Sequence, residues 1–120
     1  MINNIVLVKS PKNSGVEVSE VVVLTNKAMK LKSLSDCEVS VVFVGRKRAR
    51  DLNIKYRQKS YIPQVLGFPM SREKDVDGII RLGDIVICTQ KLKYEAVFMG
   101  KDQKVILEQW LLHGLENLLI

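Results

Sequence analysis

The segment from Lys104 to Ile120 is the strongest constraint on what this chain can become. Val105, Ile106, Leu107, Trp110, Leu111, Leu112, Leu115, Leu118, Leu119 and Ile120 cover most of the circumference of a helix at 3.6 residues per turn. A helix apolar over so much of its surface is expected to be central and buried. Glu108, Gln109, His113 and Glu116 interrupt the run, so it does not suit a lipid-exposed span. Gly114 lies inside it at a cost of about 1 kcal/mol relative to alanine. Close approach of another backbone would offset that cost.

A buried helix needs a layer to pack on, and the rest of the chain supplies strands. Residues 38 to 44 (Glu-Val-Ser-Val-Val-Phe-Val) form a strand bounded by Gly45, and Asn4 to Val8 reads as another. Val21, Leu24, Ala28 and Leu31 recur at helical spacing between them, although the Val21-Val22-Val23 run disfavours a helix locally. Residues 63 to 69 and 79 to 88 read as a strand pair across the charged turn Ser71 to Gly78. Thr89 is placed as the N-cap of a short helix that ends at Gly100. The expected fold is α+β: one domain over residues 1 to 120, a mixed sheet of about four strands with helices packed on it, and the site on the buried C-terminal helix.

With 47% hydrophobic and 27% charged residues and no low-complexity tract, a compact soluble fold is expected rather than disorder. No export signal is visible, and a cytoplasmic location is expected. Cys37 and Cys88 lack Cys-x-x-Cys spacing and read as reduced, buried thiols. Neither a membrane nor a dinucleotide is expected as a partner.

The net charge of +6 is concentrated in one place. Between Arg46 and Lys59 there are seven basic residues against one acid, Asp51, while the remainder of the chain is balanced. A positive field that local attracts phosphate-bearing partners, nucleic acid first. Helical spacing places Ala49, Leu52 and Tyr56 on a core stripe and Arg46, Arg50, Asn53 and Arg57 on an adjacent ridge. The planar guanidinium fork engages two phosphate oxygens at once, which lysine does not. A solvated helix face is the blander interpretation of any basic run.

Four motifs then occur in order. They are Leu52-Asn53-Ile54-Lys55-Tyr56-Arg57, Val65-Leu66-Gly67-Phe68-Pro69, Leu82-Gly83-Asp84-Ile85-Val86-Ile87 and His113-Gly114-Leu115-Glu116-Asn117-Leu118. Together they resemble the YbeY family, bacterial rRNA maturation factors regarded as zinc-dependent single-strand endoribonucleases. The likeness runs over roughly residues 38 to 118. Gly114 in place of a Glu base removes any His-Glu-x-x-His protease interpretation.

The resemblance implies a role for particular residues. Arg57 matches the arginine that contacts substrate phosphate, and His113 matches the first of three metal-ligand histidines. Asn117 stands at the second ligand position, one turn later, where a neutral amide is a poor partner for a zinc-like ion. The third position would fall beyond Ile120, so the chain reads as short at its C-terminus. Gln64 stands where the family usually has Asp or Asn, and Gly67 where it has Ser. Taken without the resemblance, His113 is a satisfied histidine on a mostly buried helix.

Two functions of different classes follow. One is a YbeY-type endoribonuclease acting on single-stranded RNA or rRNA, with the small ribosomal subunit as a further partner and zinc as the family's cofactor, although this chain alone is not expected to hold the ion. The other is a non-catalytic RNA- or ribosome-binding relative that keeps the fold and the arginine ridge.

Overall fold

The computed structural model describes residues 3 to 12 and 14 to 120. Its elements run β1 (Ile5–Lys9), α1 (Val18–Leu31), β2 (Cys37–Val44), α2 (Arg46–Arg57), β3 (Val65–Pro69), β4 (Ile80–Cys88), α3 (Thr89–Met99) and α4 (Gln103–Leu118). The strands form one sheet in the order β1-β2-β4-β3, with β1, β2 and β4 parallel and β3 antiparallel to β4. This is the mixed four-stranded α+β architecture expected from the sequence.

Strand β2 shows why the layers form where they do. Cys37, Val39, Val41 and Phe43 alternate onto one face and are buried, as the two-residue period of a strand dictates. They meet Val21, Ala28 and Met29 of α1 and Ile106, Leu111 and Leu115 of α4 in a single core. The opposite face of the sheet, with Val42, Val44, Phe68 and Val86, borders a groove beside Arg48, Leu52 and Tyr56 of α2. Three ion pairs tie α1 to α4: Lys27 to Glu108, Lys32 to Glu116 and Glu20 to Lys104.

One irregularity sets the phase of β4. Pairing with β2 runs Glu38 to Arg81 and then Val39 to Gly83, so Leu82 is an extra residue. Gly83 adopts φ +136°, and a Cβ there would collide with the carbonyl oxygen of Phe68. A bulge with glycine at the strained position is the physical account of that residue. Beyond it Ile85 and Ile87 point into the core.

Several expectations need correction. α4 is one-sided rather than buried all round: Lys104, Val105, Gln109, His113 and Glu116 form an exposed stripe, because the polar interruptions recur at i, i+4 and i+7. In α1, Leu31 is 65% exposed, and Thr25 and Met29 complete the buried face instead. In α2, Tyr56 is exposed and meets Phe68 edge-on, with ring centroids 5.2 Å apart. Thr89 is the first residue of α3 rather than its cap; Cys88 holds the cap position and the buried Thr89 hydroxyl has no partner. The helix ends at Gly100 in the left-handed conformation, as its sequence indicates.

Candidate functional site

The helix that packs the core also presents the site. Asp102 caps α4 by accepting a hydrogen bond from the Lys104 amide at 2.9 Å. Eleven residues on, His113 projects from the exposed stripe and Asn117 follows one turn later, half-buried. Both line a cleft of about 480 Å³ together with Arg57, Val65, Gly67 and Pro69. A neighbouring recess of about 420 Å³ shares Arg57, Val65 and His113 and adds Tyr61, Pro63, Gln64 and Lys91. The two share walls and form one continuous depression between α2, β3, α3 and α4.

Strand β3 lies unusually close beneath this turn of α4. A Cβ built on Gly67 would be 2.9 Å from the Cβ of Asn117 and 3.2 Å from the carbonyl oxygen of Gly114. A Cβ on Gly114 would be 2.6 Å from the Ile85 side chain and 3.2 Å from that of Val65. Gly114 is thus explained by strand side chains packed against it, and Gly67 by the helix backbone above it. Close packing of the Ile85 and Val65 side chains, rather than the expected approach of another backbone, is what surrounds Gly114.

Arg57 reaches the cleft because α2 ends there. Gln58 takes a left-handed conformation at φ 55° and turns the chain back. The side chain of Asn53 donates to the Tyr61 carbonyl oxygen and that of Arg50 to the Ser60 carbonyl oxygen, each at 2.9 Å. These bonds hold the segment that delivers Tyr61 to the depression. Asn53 therefore departs from the expected ridge: it is fully buried, with its Oδ1 unpartnered, because its α2 position faces the returning segment rather than solvent. Arg46 lies at the far end of α2, about 16 Å from Arg57 along the axis. Of the residues singled out from sequence, the cleft gathers Arg57, Gln64, Gly67, His113 and Asn117; Arg46, Arg50 and Asn53 are not part of its lining.

Lys91 and Tyr61 are the site residues that sequence reasoning missed. Nothing local marks them, since Lys91 is one of two lysines on a short helix and Tyr61 sits in a connecting segment. Among the described residues, Arg46, Arg48, Arg57 and Lys91 form no ion pair, whereas Lys47 is paired with Asp51 at 3.1 Å. Of these, Arg57 and Lys91 line the depression, and no acidic side chain does. Glu116, next to Asn117, is committed elsewhere: a hydrogen bond from Lys32 holds its carboxyl below the ordinary range.

The donors present do not suit a zinc-like ion. His113 is the only histidine of the chain, and no group of three His, Cys, Asp or Glu side chains among the described residues could hold a metal. One imidazole beside a neutral amide falls short of the three protein ligands that a catalytic zinc needs. Cys37 and Cys88 are buried in the core, and burial pushes the Cys37 thiol up, away from the thiolate that would bind metal.

Comparisons with known proteins converge on one group. A family model described as Endoribonuclease YbeY matches residues 8 to 119. The Endoribonuclease YbeY of Cellvibrio japonicus is 36% identical over 92 residues, which cover 77% of this chain and 51% of that protein. That of Pseudomonas putida KT2440 is 35% identical over 85 residues, 71% of this chain and 54% of the relative. The chain spans about half the length of the curated relatives it matches. The solution structure of TM1509 from Thermotoga maritima superposes with a TM-score of 0.61 over 97% of this chain and 71% of that one; at 21% identity this likeness supports the fold alone.

Proposed function

We propose, from the premise that the chain belongs to the endoribonuclease YbeY family, that it is a YbeY-type rRNA maturation factor whose cleft between α2, β3 and α4 seats single-stranded RNA. The observation that carries this proposal is that Arg57 and His113, from distant parts of the sequence, line one open depression whose only charged lining side chains are the cations Arg57 and Lys91. Arg57 offers two parallel N–H donors to a phosphate. Lys91 adds a second cation to the same recess, which His113 also lines. On this basis the protein works in the cytoplasm on ribosomal RNA, with the small ribosomal subunit as its larger partner.

In the family's chemistry a bound divalent ion supplies a water of lowered pKa and neutralises charge on the transferring phosphoryl group. His113 and Asn117 do not by themselves make a donor set for that ion. The roles assigned to this chain's own residues are therefore to bind and orient RNA: Arg57 and Lys91 at phosphates, His113 as a hydrogen-bonding group in the same recess.

The test is fluorescence anisotropy with a labelled single-stranded RNA, combined with a cleavage assay. Arg57→Ala is expected to weaken binding about tenfold and to reduce the slope of log affinity against log salt by about one. Affinity unchanged by that substitution would sink the proposal. Asn117 favours a second interpretation, a non-catalytic RNA-binding relative. It predicts the same binding with the RNA left intact after zinc or nickel is added, and cleavage of that RNA would exclude it.

A further inference from the structure

The depression does not end at Lys91. On α3, Lys91, Tyr94 and Phe98 recur at i, i+3 and i+7 and share one side of the helix. Leu92 and Ala96 anchor the opposite side in the core. Tyr94 and Phe98 are 61% and 71% exposed, and their rings lie nearly parallel, 10° apart with centroids separated by 6.0 Å. Val97, 83% exposed, widens the apolar surface. Such an i, i+4 pair stabilises its helix by only a few tenths of a kcal/mol, and a contiguous exposed apolar patch more often marks a contact surface.

We propose that the α3 face carrying Lys91, Tyr94 and Phe98 is a stacking platform for unpaired nucleobases, continuing the cleft along a single strand of RNA. The inference rests on the proposal that the cleft seats RNA phosphate. Two observations select nucleic acid over other occupants. The platform is contiguous with the depression, because Lys91 lines the recess that also holds Arg57 and His113. It also carries a cation on its own side of the helix: Lys91 forms no ion pair among the described residues, and Glu95 is the sole acid of α3. Flat aromatic rings beside an ammonium group complement a strand whose bases are unstacked and whose phosphates run alongside, and stacking of this kind tolerates any base.

The experiment compares the intact protein with Tyr94→Leu/Phe98→Leu, which keeps apolar bulk and helix propensity but removes both ring faces. Binding is measured with a labelled oligouridylate of about 12 nucleotides, a length within the range such surfaces cover, and with the same strand carrying abasic riboses. The double variant is expected to lose about tenfold in affinity for the oligouridylate with its salt slope unchanged, since no charge is removed. The abasic strand should bind the two proteins equally, and Phe98→Tyr should retain wild-type affinity. If Arg57→Ala weakens binding while the leucine variant matches wild type, the platform is overturned and the cleft proposal stands. If neither substitution changes RNA affinity, the cleft proposal fails and the platform with it. If the leucine variant loses only a concentration-dependent self-association seen by sedimentation, the face joins copies of the chain and the platform is overturned. Unchanged circular dichroism and urea midpoint would show that any loss arises at the surface.

Discussion

On its inward side α4 sets Gly114, Leu115 and Leu118 against Ile85 and Val65 with no room for one further carbon at Gly114. One residue away, on the cleft side, His113 is exposed and Asn117 only half-buried. The two sides answer to different physics. A change on the inward side meets atoms that cannot move apart cheaply in a close-packed interior. A change at the imidazole or amide on the cleft side meets solvent and alters only what the cleft can bind. The inward side therefore has no slack at Gly114, while the cleft side can exchange one polar side chain for another without disturbing the core.

That contrast is broken most severely from below. Gly83→Ala would place a Cβ against the Phe68 carbonyl at a left-handed φ and disturb the bulge that aims Ile85 at Gly114. A loss of about 3 kcal/mol or more is expected in urea unfolding. Gly114→Ala comes next. The added methyl meets Ile85, an overpacking cost of about 1–3 kcal/mol, partly offset by about 1 kcal/mol of helix propensity. The expected net loss is about 0–2 kcal/mol; a measured loss would confirm that the inward side has no slack, whereas a gain in stability would refute it.

Asn117→His sharpens the comparison from the other side. It is expected to change stability by less than about 0.5 kcal/mol, while the imidazole pair at i and i+4 raises zinc affinity about tenfold, as read by titration calorimetry. An unfolded variant would show the cleft side to be as constrained as the inward one. The smallest effect lies away from α4, in the turn between β3 and β4. There Arg81 is bonded to Asp75 and Asp77, and hydrogen bonding from Arg81 holds the Asp77 carboxyl down at about 2, against an ordinary 3.8. A depressed carboxylate pKa contributes stability above its unfolded value that is lost as pH falls through its folded one. Between pH 4 and pH 2 the stability of Asp77→Asn should decline less than that of the wild type, by a small margin because the pair is exposed.

Much of the fold was legible because its signals are local. The alternation in β2, the left-handed Gly100 and the strand pair around the charged turn are written within a few residues. The site was legible in part. Arg57, His113 and Asn117 could be named from motif resemblance, and the cleft unites them. Asn53 was misplaced because helical spacing cannot reveal which side of α2 receives the segment returning through Tyr61. Tyr56 was misassigned for a related reason: α2 is so short of apolar residues that its buried side is defined by Ala49 and Asn53.

The sequence by itself determined the order and type of the elements, the concentration of positive charge in one helix and the presence of a single histidine in these 120 residues, since each depends on residue identity or on neighbours a few positions apart. Only the tertiary structure decided that α4 is exposed along one stripe, that Lys91 and Tyr61 join Arg57 at the cleft, and that Tyr94 and Phe98 stack on each other in solvent. Those outcomes depend on which surfaces the sheet leaves uncovered, and that is settled by contacts between residues far apart in the chain.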